Sequence, residues 1–318
     1  LHPRQRVVFE AVSATAMRQA LDASQPLLQA AAPVIRSLGR AMAQTRYFAI
    51  LTNADGVVIH VNGPIDRQDP RATAIARVGV DLSEAAVGTT AIGTTLAEQQ
   101  PVWLHRGEHF FEDTSVYSCA GAPLIGPNGR CIGMLDLTGI DVPERPALKH
   151  LVTQSARSIE NALTLPQPHH LLLRLQWPGR LIGEDSDDLL TVDADGLITG
   201  ANRHAMEMLT LPAGGGWPHC DDVFAVPSAS LFDAARKRRG VLELPLWSGL
   251  RMQVWPLSAV EAAPSGGPPT PHGHAVPLRE VETAMIRKAV EDAGGNVAEA
   301  ARALGISRAT VYRRLERR

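Results

Sequence analysis

Side chains suited to chemistry gather in residues 294–318, GGNVAEAARALGISRATVYRRLERR. Arg308 stands in the first turn of the predicted last helix, where a guanidinium can fork onto the two guanine acceptors of the major groove. Arg313, Arg314, Arg317 and Arg318 suit phosphate oxygens, which position a protein on a duplex without reading its sequence. The competing reading is a solvated basic helix end that only complements the macrodipole.

The elements that would hold these arginines decide between the two readings. Gly294 and Gly295 stop one helix, and the Asn296 side chain supplies a cap oxygen for the next. Ala300, Ala301 and Leu304 give that short helix a face of small residues, so another helix can cross closely. Gly305 permits the tight turn. Ser307 caps the last helix, and Val311 and Leu315 lie one turn apart on its buried side. Upstream, Leu278, Val281, Met285 and Ala289 form the stripe of a preceding helix. A basic helix end alone does not need this two-helix pattern.

These residues resemble the C-terminal DNA-binding domain of Fis-type bacterial regulators over some forty positions from Leu278. The resemblance implies an all-α, three-helix domain that dimerises and binds double-stranded DNA. It implies backbone contacts from Asn296, Thr310 and Arg313 and a base contact from Arg308.

The rest of the chain has a different charge. Residues 278–318 hold nine Lys/Arg against six Asp/Glu, whereas the preceding residues hold 22 against 27. An acidic body with a basic end fits DNA binding confined to one module. Cys119, Cys131 and Cys220 form no CxxC pattern and no disulfide framework. With no apolar run of membrane-spanning length and no signal peptide, a cytoplasmic protein without metal or cofactor is expected.

Residues 1–45 read as helices broken near Pro26 and Pro33, with Val34, Ile35, Leu38 and Met42 at helical spacing. Residues 46–163 read as an α+β unit. YFAILTNADGVVIHVNG is a hairpin turning at Asp55-Gly56, and a second hairpin turns at Asn128-Gly129. A helix from about Arg145 to Leu163 closes the unit. Within it, residues 88–139 (GTTAIGTTLAEQQPVWLHRGEHFFEDTSVYSCAGAPLIGPNGRCIGMLDLTG) are similar to the sensory GAF domain of acetoin-catabolism-type, sigma-54 activator-like regulators. Thr90 departs from the Asn usual in that family. LLTVDADGLITGANRHAMEMLTL repeats the first hairpin and, within 181–260, resembles the opening of a smaller PAS-like α+β domain. Residues 261–277 contain five Pro and three Gly and read as a linker.

Typical members of that family carry an ATPase between sensor and DNA reader. A P-loop needs Gly-Lys-Ser/Thr, but Lys149, Lys237 and Lys288 follow Leu, Arg and Arg. The GAFTGA loop is absent as well. The pattern reads as sensor and DNA reader without the motor, hence not an enzyme.

A small-ligand pocket wants an apolar, aromatic wall with a few polar groups. Trp103, His105, His109, Phe110, Tyr117 and Cys119 are the candidates. Trp103 and Phe110 read more readily as core, and His105 and His109 as loop or surface residues. Cys119 and Cys131 would form a redox pair if strand pairing brought them together.

Together these features predict a ligand-responsive, sequence-specific transcription regulator. Its expected partners are DNA, a second copy, a small effector and, as an open option, RNA polymerase. The alternatives are an architectural DNA-binding protein and a thiol redox-sensing or sulfoxide-reducing GAF protein. In the leading reading, Arg308→Ala relaxes base choice at a cost of about 1–3 kcal/mol. Arg317→Ala weakens all DNA alike and flattens the salt dependence. Competition binding on randomised duplexes at several salt concentrations separates the two effects.

Overall fold

The computed structural model describes residues 2–179, 182–183, 187–258, 290 and 297. The chain divides into two units, Leu1–Pro264 and Ser265–Arg318. The linker and the helix-turn-helix, expected over 261–277 and 278–318, lie outside the described residues apart from Val290 and Val297, both helical.

The first unit opens with a strap, residues 2–12, with no helix and one isolated bridge at Ala11. Ser13 then caps α1 (Ala14–Ala23), its Oγ accepting from the Ala16 amide at 3.2 Å. Helix α2 (Gln25–Ala41) starts with Pro26 in its first turn, where the missing N–H costs nothing. The break expected near Pro26 is present, but Pro33 lies inside α2 without ending it. Leu27, Ala31, Ile35 and Leu38 of α2 are buried, and that packing outweighs the proline's local cost.

Strands β1 (Tyr47–Asn53) and β2 (Val58–Asn62) form the expected hairpin. Helices α3 (Pro70–Ile75), α4 (Glu84–Val87) and α5 (Ala91–Glu98) follow, then β3 (Val102–His105), β4 (Tyr117–Ile125) and β5 (Cys131–Ile140). The sheet order is β2-β1-β5-β4-β3, antiparallel throughout. Strand alternation divides its side chains between two layers. Ala49, Leu51, Ala120, Ala122, Leu124, Leu135 and Leu137 face α2 and α6 (Ala147–Thr164). Phe48, Ile50, Tyr117, Cys119, Met134 and Ile140 face the α3–α5 lid.

A second antiparallel sheet comprises β6 (Leu171–Gln176), β7 (Asp188–Val192), β8 (Ile198–Ala201), β9 (Leu242–Pro245) and β10 (Arg251–Ser258), in the order β8-β7-β6-β10-β9. Helices α7 (Arg203–Leu209), α8 (Cys220–Val223) and α9 (Ser228–Arg236) complete this half. Both halves are α+β, as expected. The central strand β6, however, precedes residue 181, where sequence patterning begins the second half. Taking β7, β8, β9 and β10 as counterparts of β1 to β4, β6 occupies the place of β5. The central strand comes last in one sheet and first in the other.

The repeated hairpin has one local cause. Asn53 Oδ1 accepts from the amides of Asp55 (3.1 Å) and Val57 (2.9 Å). Asp193 Oδ1 does the same for Asp195 (3.0 Å) and Leu197 (2.9 Å). Gly56 and Gly196 take the left-handed φ that each turn requires, 84° and 92°.

Helix α6 serves both sheets. Val152, Ala156, Ile159 and Leu163 pack into the first core. On the same helix Arg157 pairs with Asp188 of β7 at 2.7 Å. Buried Glu160 accepts from the Ile125 amide at 2.8 Å, and burial pushes its pKa up to about 8. Asn202 caps α7 through the Ala205 amide (2.9 Å) while its Nδ2 donates to Asn161 Oδ1 of α6 (2.6 Å) and to the Asp187 carbonyl (3.1 Å). The β4–β5 turn joins in, its Pro127 carbonyl accepting from the Ala201 amide at 3.0 Å.

Asn202→Ala removes the cap and two buried hydrogen bonds together. It is expected to cost about 2–4 kcal/mol, read as a lower midpoint in urea denaturation. Asn202→Asp keeps the cap acceptor but turns a buried carboxylate oxygen onto two acceptor oxygens, so it is also expected to be destabilising.

Candidate functional site

Under the lid of the first sheet lies a cavity of about 30 Å³. Its floor is Ile50, Tyr117, Cys119 and Thr138, side chains that share one face through the strand alternation. Its roof includes Ile75, Leu82, Val87, Thr90, Ala91 and Ile92, with His109 and Thr114 at one side and Phe9 of the strap at the mouth.

The polar groups here are incompletely matched. Tyr117 donates its hydroxyl to the Arg71 carbonyl at 3.1 Å, and burial holds that phenol well above its ordinary pKa. His109 Nδ1 lies 2.9 Å from the Arg106 carbonyl, so it carries the proton and leaves Nε2 as an acceptor. Burial lowers the His109 pKa, so the ring is neutral at neutral pH. Thr138 donates to Asp136 Oδ2 and also contacts the Cys119 thiol at 3.5 Å. Asp136 is fully buried, and desolvation raises its pKa to about 7. Its second oxygen Oδ1, with His109 Nε2, Thr94 Oγ1 and Thr95 Oγ1, has no hydrogen-bond partner among the described residues. Buried polar atoms left unmatched cost about 1–3 kcal/mol each unless water or ligand completes them.

Gly121 lets Thr95 and Met134 pack directly against β4. It faces Asp136 across the β4–β5 ladder. A Cβ there would come within 2.5 Å of Thr95 Oγ1 and 2.7 Å of Met134 Cε.

Of the six residues singled out from sequence, His109, Tyr117 and Cys119 line this cavity together. Trp103 packs against the opposite core, and His105, of the same strand parity, binds Ser118 Oγ through Nδ1 at 2.7 Å. The two rings stack with centroids 6.2 Å apart. Phe110 is 38% exposed, and its neighbour Phe111 is the buried ring. Patterning overlooked Phe9, Thr138 and Asp136. Asp136 left a signal, being an acid at the inward parity of the apolar run GMLDLTGI.

Cys119 and Cys131 do not meet. The ladder sets Cys119 opposite Thr138 and Cys131 opposite Ile125, about 20 Å apart along the strands at ~3.3 Å per residue. Burial raises the pKa of all three thiols, which opposes thiolate chemistry. Among the described residues no group of three His, Cys, Asp or Glu is placed to hold a metal ion. Nor is any helix there long and apolar enough to cross a membrane.

The DNA candidates Asn296, Ser307, Arg308, Thr310, Arg313, Arg314 and Arg317 lie outside the described residues. Comparison reaches them instead. Residues 277–317 match the family described as bacterial regulatory protein, Fis family, and residues 4–161 match the MimR N-terminal domain. The chain thus carries a MimR N-terminal domain followed by a Fis-family domain. The chain is 30% identical over 186 residues to the acetoin catabolism regulatory protein of Cupriavidus necator, covering 57% of this chain and 28% of that protein. It is 32% identical over 145 residues to the propane 2-monooxygenase operon transcriptional activator MimR of Mycolicibacterium goodii, covering 45% and 25%. The chain thus spans under a third of those relatives' lengths. A chain of the E. coli DhaR(N)–DhaL complex superposes with a TM-score of 0.49 at 14% identity, covering 81% of this chain and 95% of that one.

A carboxyl raised from 3.8 to about 7 keeps its proton in the folded state where the unfolded chain has released it. Its stabilisation is full below about pH 4 and is lost as pH rises toward 7, a change on the order of 4 kcal/mol. Glu160 adds to the same slope and extends it to about pH 8. Urea denaturation between pH 4 and 8 should show Asp136→Asn with a flatter slope than the parent, and more stable than it at the alkaline end.

Proposed function

We propose that this chain is a cytoplasmic, ligand-responsive transcription regulator that reads DNA sequence with its C-terminal helix pair and takes a small uncharged effector in the cavity under α5. The observation that carries the reading is the buried Nε2 of His109, a lining atom with no partner among the described residues, together with lining Thr138, whose hydroxyl donates to the fully buried Asp136. Asp136 Oδ1 and Thr95 Oγ1 are also unmatched but are not lining atoms. A neutral carboxylic acid and a hydroxyl can donate, and a neutral imidazole nitrogen can accept. No Lys or Arg lines the cavity, so an anion would find no counter-charge.

Arg308 reads a base in this proposal, while Asn296, Ser307, Thr310, Arg313, Arg314 and Arg317 hold the backbone. A homodimer spans two half-sites about 34 Å apart. A groove between α2 and α6, lined by Val34, Leu38 and Ala41 opposite Leu151, Ala162 and Leu165, supports the pairing of two copies. Within these 318 residues the regulator works without ATP hydrolysis, and RNA polymerase is its partner at the promoter. Effector binding acts through α6, which packs on the sensing sheet and is hydrogen-bonded to the second half.

The test uses the full chain and a duplex recovered by in vitro selection. Fluorescence anisotropy is read with a panel of two- to four-carbon alcohols, diols and ketones, and with carboxylates of the same size. The expected result is a several-fold shift in DNA affinity with an uncharged compound, none with the carboxylates, and loss of the shift in Thr138→Val. A response to carboxylates alone, or one untouched by Thr138→Val, removes the cavity from the mechanism.

A further inference from the structure

The strap, which precedes every helix and strand of the fold, adds Phe9 to the cavity wall. Val7 and Phe9 turn inward against the lid-side core, while Val8 is 62% exposed. The Phe9 ring meets Tyr117 edge-to-face, with centroids 6.3 Å apart and planes at 89°. Phe9 is only half-buried. Among the other lining residues all but Thr90 are buried, and Thr90 is committed as the α5 cap, accepting from the Gly93 amide at 3.3 Å. Phe9 therefore stands between the cavity and solvent.

The strap is held along its length by a few hydrogen bonds. The Val7 amide donates to Asp113 Oδ2 at 3.0 Å, and Arg77 donates to the Phe9 carbonyl at 3.0 Å. The Glu112 amide donates to the Pro3 carbonyl (2.9 Å), and the Asp81 amide to the Glu10 carbonyl (3.0 Å). The pair Arg4–Glu112, at 3.2 Å, is exposed. Such contacts open locally at far lower cost than a sheet or a packed helix. Moving any floor residue would break the β1–β5–β4 ladder.

Size then decides which wall yields. About 30 Å³ holds one or two waters. Anything larger needs a side chain to withdraw, and the Phe9 ring is the one whose withdrawal disturbs least.

We propose that Phe9 is the specificity-determining door of the cavity: its ring closes the mouth behind a ligand and sets the largest ligand admitted. This rests on the cavity being the effector site, and it names the residue that selects effectors by size. It also places the N-terminal strap, continuous with α1 and α2, in the path from ligand entry to the opposite side of the sheet.

The test uses full-length protein and benzene, which apolar protein cavities of about 150 Å³ accept. Benzene binding is measured by headspace partition and by the shift in melting temperature for the parent, Phe9→Leu and Phe9→Ala. Phe9→Ala is expected to bind benzene at least about tenfold more tightly than the parent, with Phe9→Leu between them. Val8→Ala, on the outward side of the strap, should match the parent. Should Phe9→Ala fail to fold, Phe9→Leu carries the comparison. Equal benzene affinity in the parent and the folded Phe9 variants overturns the proposal, whether all bind or none do. The readout involves neither DNA nor the natural effector. A door confirmed here, with DNA affinity indifferent to every small molecule tried, would refute only the effector reading.

Discussion

Helix α6 must satisfy two sheets at once, and this constraint organises the rest of the first unit. Its apolar face completes the first core, while Arg157, Glu160 and Asn161 reach the β4 end, β7 and α7. A displacement of the first sheet against α6 cannot be absorbed by soft packing alone, because Glu160 and Asn161 are buried and hydrogen-bonded. Breaking one side of such a contact leaves a polar group stranded. The joint therefore behaves as a rigid coupling between the cavity-bearing half and the half that follows it.

The buried polar atoms fall into two groups that do different work. At the joint most are matched, Asn202 with Asn161 and the Asp187 carbonyl and Glu160 with the Ile125 amide, while Asp187 Oδ1 is not. Under the lid Asp136, Thr95 and His109 each keep a buried atom without a partner among the described residues. Matched groups fix geometry, whereas unmatched ones store an unfavourable free energy that a bound molecule relieves. The same chemistry thus makes one region stiff and the other receptive.

Much of this was legible in the chain. Asn53 and Asp193, each followed two residues later by Asp and then Gly, announce their hairpins because the turn is a local side-chain-to-backbone event. Tyr117 and Cys119, two residues apart on the interior strand β4, share its lid-side face through strand alternation. Trp103 and His105 misled because β3 is an edge strand, half-buried at all four positions, so its pattern does not say which face meets the cavity. Strand β6, LLLRLQ, escaped for the opposite reason: a centrally placed strand buried on both faces gives a nearly continuous apolar run with no period to read. Phe9 left no trace in sequence, since its position depends on contacts with residues near 77–81 and 112–117.

The two sheets share a spatial order, yet the chain passes through their centres at opposite times. During synthesis the first sheet is complete once β5 emerges, and its last strand seals a gap between neighbours already made. The second begins with β6, which leaves the ribosome with both edges open and waits some eighty residues for β10. An unpaired, leucine-rich strand is a template for wrong partners. Helix α6, which immediately precedes β6 and packs on the first sheet, anchors the start of β6 beside a sheet whose strands all come earlier in the chain.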